Sequence, residues 1–178
     1  LLDLGCGNGW ATRWLAVQTG NTGSAIGVDA AAGMIALARE HQHNSSTVRF
    51  ERCTFTELPF ADASFDHAFS MEALYYATEL APALDSIARV VKSGGTLTIC
   101  VDYFTENPHS VAWPTNVGVP MIRLSEHGWQ AALESAGFEV KASFRCLDDR
   151  PVDPSRPEEE RAAKLDFGAA AAEAVKPL

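Results

Sequence analysis

The sequence predicts a doubly wound α/β fold, a mostly parallel sheet with helices on both faces. Three observations carry this. Short apolar or β-branched runs alternate with segments of helical period along residues 1 to 146. The first run leads straight into a turn with glycine at alternate positions, Gly5, Gly7 and Gly9, and the second run closes on an acid, Asp29. Strands that alternate with helices are joined by right-handed crossovers and therefore pair in parallel.

Each element follows from its own signals. Leu1 to Leu4 reads as the end of a strand, and Trp10 to Gln18 as a helix with Trp14, Leu15 and Val17 available for packing. Ser24 to Val28 is a second strand, followed by a helix from Ala31 to His41 that carries Met34, Ile35, Leu37 and Ala38. Val48 to Cys53 and Phe65 to Ser70 read as strands on either side of a Leu58-Pro59-Phe60 turn. A helix over Leu80 to Val91 is expected to close at Ser93-Gly94-Gly95, where glycine takes the left-handed conformation of a helix end. Thr96 to Val101 is a β-branched strand, Ser125 caps a helix that runs to Ala136 before Gly137, and Phe138 to Cys146 is a further strand. From Asp148 to Glu160, three prolines and the Glu158-Glu159-Glu160 run form an acidic loop, and the alanine-rich stretch from Arg161 to Val175 reads as a helix. Residues 1–146 thus form the core, with 147–178 as a loop and C-terminal helix of the same domain.

Composition narrows the function. With 178 residues, 47% of them hydrophobic, the chain can bury one ordinary core. Fourteen basic against 23 acidic side chains leave a formal charge of -9, which disfavours nucleic acid and anionic membranes as partners. There is no membrane-spanning run and no secretory pattern. Cys6, Cys53, Cys100 and Cys146 are widely separated and lack metal-ligand spacing, which points to reduced core thiols in a cytoplasmic protein.

Chemistry concentrates at the first strand-to-helix turn. Glycines there remove every Cβ that would hold a ligand away from the backbone, and the following helix offers unbonded N–H groups. A nicotinamide fingerprint is not met, because Trp10 or Thr12 stands where its last small residue belongs. Asp29, 20 positions beyond Gly9, stands where a carboxylate can accept from both ribose hydroxyls or cap the next helix. The two features describe a site for an adenosine-bearing ligand with no pyrophosphate requirement.

The segments LLDLGCGNGWATRWLA, GVDAAAGMIALARE, LPFADASFDHAFSMEALYY, ARVVKSGGTLTI and LSEHGWQAALESAGFEV together resemble the class I S-adenosylmethionine-dependent methyltransferases, especially their small-molecule branch. The resemblance implies a Rossmann-like fold, S-adenosylmethionine as cofactor, S-adenosylhomocysteine as product and a small-molecule acceptor methylated on O, N or C. It places Asp3, Gly5, Cys6 and Gly7 at the methionine end, Asp29 on the ribose, Ala30 beside the adenine, and Ser70 near the sulfonium, with Glu72 and Tyr75 toward the acceptor. One position departs from the pattern: the acid that receives the adenine amino group is replaced by Thr54. Phe55 beside it either touches adenine or packs in the core.

Displacement at a sulfonium methyl demands positioning and desolvation more than a dedicated base, so no triad or metal cluster is required. Glu72 and Tyr75 lead the groups that could deprotonate or orient an acceptor, ahead of Tyr76, Tyr103, His109 and His127, while His41 and His43 near a helix end do not make a metal site. The stretch from Asp102 to Arg123, with Tyr103, Phe104, Trp113, Pro114 and Pro120, suits a wall of the acceptor pocket. Methylation of RNA or protein, or cofactor binding without transfer, are the alternatives. The family pattern further implies a fragment that lacks an N-terminal cap and the last antiparallel strand.

Overall fold

The computed structural model describes residues 1–20, 22–42, 46–147, 155 and 169–178. Its elements are β1 (Leu2–Leu4), α1 (Trp10–Gln18), β2 (Ala25–Asp29), α2 (Ala32–Glu40), β3 (Val48–Arg52), β4 (Phe65–Met71), α3 (Leu80–Val90), β5 (Val91–Val101), α4 (Trp113–Val117), α5 (Glu126–Ser135), β6 (Glu139–Cys146) and β7 (Ala169–Val175). Among the described residues seven strands form one sheet in the order β3-β2-β1-β4-β5-β7-β6. The first five strands in that order run parallel, and β7 lies antiparallel between β5 and β6. The chain moves outward from β1 to β3, then returns to β4 on the other side of β1, which opens a crevice at the carboxyl ends of β1 and β4.

The larger core cluster joins Leu2, Leu4, Leu97 and Ile99 of the sheet to Leu84 and Ile87 of α3 and to Trp129 and Leu133 of α5. A second cluster joins Cys6, Ala16, Ile35, Ala38, Val48 and Phe50. Burial of these faces supplies the dominant stabilising free energy.

Four expectations are corrected. Trp14 and Val17 do not pack: they are 58% and 75% exposed, while Ala11, Thr12 and Ala16 face the sheet. The helix lies so close that a Cβ on Gly27 of β2 would stand 2.6 Å from Thr12 Oγ1, which leaves room only for small side chains. Met34 and Leu37 of α2 are likewise exposed, with Ile35 and Ala38 turned inward. Gly94 does not close α3, because that helix ends at Val90 and the chain passes directly into β5. Gly94 instead takes φ 77° inside β5 and donates its N–H to Lys176 O at 2.7 Å, while Lys176 Nζ donates to the carbonyls of Ala88 and Val91 near the end of α3. Of the four thiols only Cys6 is buried; Cys146 is exposed.

The largest correction concerns the last segment. Ala169–Val175 is a strand and not the end of a helix, so the antiparallel strand expected to be missing is present. Residues 161–168 of that expected helix, most of the Pro-rich acidic loop and His43 lie outside the described residues. Tertiary pairing overrides alanine's weak strand preference here: β7 is hydrogen-bonded on both sides, and Ala170, Ala171, Ala172 and Ala174 are all buried. The Ser125 cap and the Gly137 stop stand as expected, with Ser125 Oγ accepting from Gly128 N at 2.9 Å and Gly137 at φ 87°.

Candidate functional site

The turn after β1 is built by its neighbour strand. The N–H groups of Gly5 and Cys6 both donate to Val28 O, at 2.8 and 2.9 Å, which folds the chain over the end of β2. Gly5 and Gly7 take φ values of 75° and 54°, conformations that side chains rarely adopt. Their surroundings differ. A Cβ on Gly5 would overlap Ala73, whereas a Cβ on Gly7 would meet nothing within 4 Å. Gly5 therefore serves close packing, and Gly7 faces open space.

Asp29 ties this turn to the next one. Its Oδ2 accepts from Gly7 N at 2.9 Å and its Oδ1 from Ala31 N at 2.8 Å, so the carboxylate is oriented at the start of α2 and keeps lone pairs for further donors. Both sequence-based roles, helix start and ligand edge, remain compatible in one side chain. Arg52, at the end of β3 and directly opposite Asp29, donates from Nε to Ala30 O at 3.0 Å.

Asp3 and Ser70 turn inward. Asp3 is buried, and its Oδ2 accepts from Thr12 Oγ1 at 2.5 Å; burial raises its pKa to about 6, with the negative charge of Asp29 adding to the rise and Thr12 opposing it. Ser70, paired with Leu4 across β1 and β4, is 1% exposed and donates to Leu4 O at 3.3 Å. Cys6 contributes backbone to the turn; its thiol lies in the second core cluster, where burial raises the pKa to about 12. Phe55 packs against the main core and extends its Cζ to 3.5 Å from the Cβ position of Gly5. Thr54 is exposed, its hydroxyl within 3.1 Å of Thr56 Oγ1.

The far side of the crevice holds the densest chemistry. Glu72 follows β4 with φ 55°, and its N–H donates to Cys100 O at 2.9 Å. Such a conformation costs a non-glycine residue of order 1–3 kcal/mol and persists only where its surroundings impose it. Tyr75 OH donates to Glu72 Oε2 at 3.0 Å, while Glu72 Oε1 is buried with no hydrogen-bond partner among the described residues. Burial raises the Glu72 pKa to about 8, the neighbouring Asp102 raises it further, and the Tyr75 bond opposes the rise. The Tyr75 phenol is pushed far above its ordinary range by burial and by Glu72.

An aromatic wall follows. Tyr75 meets Tyr103 edge-on at 5.8 Å, Tyr103 stacks on Trp113 at 6.2 Å, and Arg123 lies over the Tyr103 ring. The Asp102 to Arg123 segment is fastened to this wall by Ile122 N, which donates to Tyr75 O at 2.7 Å. Phe104 is buried outright, and Val111, Val117 and Val119 are exposed along the same segment. Tyr76 is 39% exposed, His109 half-buried and His127 exposed.

The turn after β1, Asp29, Ala30, Glu72 and Tyr75 thus converge on the carboxyl edge of adjacent strands. Thr12, Arg52 and Ala73 were invisible to sequence reasoning as parts of this edge. The polar Thr12 on the small-residue face of α1 was the one signal that could have marked its place.

Comparison with known proteins gives a consistent result. Residues 2–99 match the family model described as a methyltransferase domain. The chain is 34% identical over 162 residues to the O-methyltransferase resE of Aspergillus sclerotiorum, an alignment covering 85% of this chain and 60% of that one. It is 32% identical over 155 residues to 24-methylenesterol C-methyltransferase 2 of Oryza sativa subsp. japonica, covering 79% and 41% respectively. A chain in the complex between the Haloferax volcanii Trm112 methyltransferase activator and a methyltransferase superposes with a TM-score of 0.90 at 32% identity, covering 99% of this chain and 82% of that one. An S-adenosylmethionine-dependent methyltransferase from Mesorhizobium loti shares the fold at a TM-score of 0.75 and 22% identity, covering 98% and 89%. The chain spans 60, 57 and 64% of the lengths of three of the curated relatives it matches.

Proposed function

This chain belongs to the class I S-adenosylmethionine-dependent methyltransferase family, and we propose that it transfers a methyl group from S-adenosylmethionine to an O, N or C acceptor on a small molecule. The observation that carries this reading is the placement of the Gly5–Gly7 turn, the oriented Asp29 carboxylate and Glu72 at the carboxyl ends of the neighbouring strands β1, β2 and β4. The residues fit the cofactor: Gly7 leaves a cradle that a side chain would fill, and Asp29 retains acceptor capacity after serving two N–H groups.

In this reading the turn backbone and Gly7 hold the amino-acid end, Asp29 takes the ribose, and Ala30, Thr54 and Phe55 border the base. When bound, S-adenosylmethionine supplies a methyl on a positively charged sulfur, an already activated leaving group. Asp3 and Ser70 act through the framework, fixing the end of β1 from below. Glu72 takes the acceptor's proton on Oε1, and Tyr75 holds the other carboxyl oxygen and so fixes the carboxyl's orientation. The aromatic wall and the exposed valines of the 102–123 segment favour an apolar or planar acceptor. Among the relatives, a 24-methylenesterol C-methyltransferase, named for a sterol acceptor, supports this acceptor class, and an O-methyltransferase supports oxygen as a methylated atom.

The test has two arms. Calorimetric titration with S-adenosylhomocysteine should show binding that Asp29→Ala weakens at least about tenfold, as expected for lost hydrogen bonds to a charged group. Unchanged affinity would sink the site assignment. An unbiased acceptor screen read by S-adenosylhomocysteine release should identify a small molecule; release only with RNA or protein would overturn the acceptor class.

A further inference from the structure

The end of the crevice beyond Asp29 has a composition that sets how a base is recognised there. Asp29 pairs with Arg52 across β2 and β3, and Cys53 N donates to Asp29 O at 3.3 Å, so Arg52 and Thr54 are the side chains that follow Asp29 outward along the carboxyl edge. Arg52 is exposed, and its Nε bond to Ala30 O pins the guanidinium beside the residue next to Asp29. Thr54 is exposed and neutral, and its hydroxyl is shared with Thr56. We propose that this end reads a purine by its face, through the planar Arg52 guanidinium, and that the 6-amino group contributes little to affinity. The inference rests on the cofactor reading above.

The chemistry distinguishes the two modes. A carboxylate beside the base would accept from the amino group in a charge-assisted bond, and loss of that group would weaken binding tenfold or more. A solvent-exposed hydroxyl already engaged with another hydroxyl forms at best a neutral bond, for which water competes. An arginine plane stacks on any flat ring regardless of its substituents, and an exposed cation–ring contact corresponds to about two- to fivefold in affinity. Arg52 is thereby a positioning residue for the cofactor's base, outside the reacting atoms.

The test compares S-adenosylhomocysteine with its analogue lacking the 6-amino group, and with S-ribosylhomocysteine, which keeps the ribose and amino acid and has no base. Affinities are measured by calorimetry for the first two and by ligand-observed NMR for the third. The wild type should bind the adenosyl and 6-deamino ligands within about fivefold of each other, and Thr54→Asp should favour the adenosyl ligand by about tenfold or more. A wild-type preference above tenfold for the amino-bearing ligand, or an unchanged ratio in Thr54→Asp, overturns the proposal. Arg52→Ala and Arg52→Lys should each weaken both base-bearing ligands about two- to fivefold and leave S-ribosylhomocysteine within twofold. Equal losses for all three ligands would mean that Arg52 only props the Ala30 turn, and full retention in Arg52→Lys would mean that charge and not the plane matters; either overturns the stacking role. Thermal melts confirm that each variant is folded. Binding of none of the ligands to the wild type overturns the cofactor reading itself, and this inference with it.

Discussion

Tyr75 OH donates to Glu72 Oε2 at 3.0 Å, while the second oxygen of the same buried carboxyl has no hydrogen-bond partner among the described residues. One oxygen is thus held and the other left uncommitted, an arrangement that suits a proton acceptor whose orientation must not drift. With a pKa near 8, the carboxyl is largely protonated at neutral pH and becomes a base above it. For a neutral hydroxyl acceptor, kcat/KM should therefore rise with pH through about 8, and Glu72→Gln should abolish that limb and lower the rate by about 10²-fold or more. Tyr75→Phe removes a bond that favours the charged form, so the limb should move to higher pH. A limb that stays unmoved in Glu72→Gln would assign the titration elsewhere.

The same carboxyl governs stability against pH. Its folded pKa lies above the ordinary carboxylate value, so the folded protein binds the extra proton and loses stability as pH rises from about 4.5 toward 8. Glu72→Gln removes that loss and also removes a charge from a buried site. Thermal melts should show the variant gaining on the wild type by about 1 kcal/mol or more at pH 9 relative to pH 4.5, about 2–4 °C for a chain of this size. Parallel melting curves across that range would contradict the burial of an ionisable Glu72.

Asp3 depends on Thr12 in a related way. Burial and the Asp29 charge raise the buried carboxyl's pKa to about 6, and the hydroxyl and backbone N–H of Thr12 oppose the rise. Thr12→Val keeps the side-chain volume and deletes the hydroxyl bond while the backbone bond stays, so the buried carboxyl loses one donor at a cost of about 1–3 kcal/mol at pH 7. Raised folded pKa again means stability falling with rising pH, so the deficit should be smaller at pH 4.5 than at pH 7. Chemical denaturation at the two pH values measures it.

Gly5 and Gly7 should fail differently when replaced. Gly5→Ala forces a Cβ into Ala73 at positive φ and should destabilise the fold by about 2 kcal/mol or more. Gly7→Ala meets no neighbour, so its stability cost should stay near the 1 kcal/mol of an unfavourable φ, while S-adenosylhomocysteine binding falls at least about tenfold because the cradle is filled. Melts and calorimetry on both variants separate the effects; equal affinity for Gly7→Ala and wild type would show that the turn does not line the ligand.

Packing of α1 offers a simple check. Trp14 points to solvent and Ala16 to the sheet, so Trp14→Ala should change stability by no more than about 0.5 kcal/mol, whereas Ala16→Leu should cost about 1–3 kcal/mol by overpacking. The reverse order in denaturant midpoints would place the helix the other way round.

Much of this protein was legible in the chain itself. Periodicity and punctuation located β1 to β4, β6 and helices α1, α2, α3 and α5 within one or two residues, and the second half of β5, because local signals such as the Ser125 cap and the Gly137 stop act within one turn of the chain. The glycine turn and Asp29 marked the ligand edge because backbone approach and ribose recognition require those residue types at those places. The alanines of Ala169–Val175 misled, since side chains with no strand preference form a central strand only when two partners bracket it.

The sequence by itself determined the fold class, the family and the edge of the sheet where chemistry occurs. Only the tertiary structure decided that small residues rather than Trp14 pack α1 on the sheet, that Asp3 and Ser70 turn inward, and that one buried Glu72 oxygen has no hydrogen-bond partner among the described residues. The physical reason is common to all three. Burial, pKa and hydrogen-bond commitment are properties of neighbours in space, supplied here by Gly27, Thr12, Leu4 and Asp102 from other segments, and no local pattern encodes how closely those segments approach.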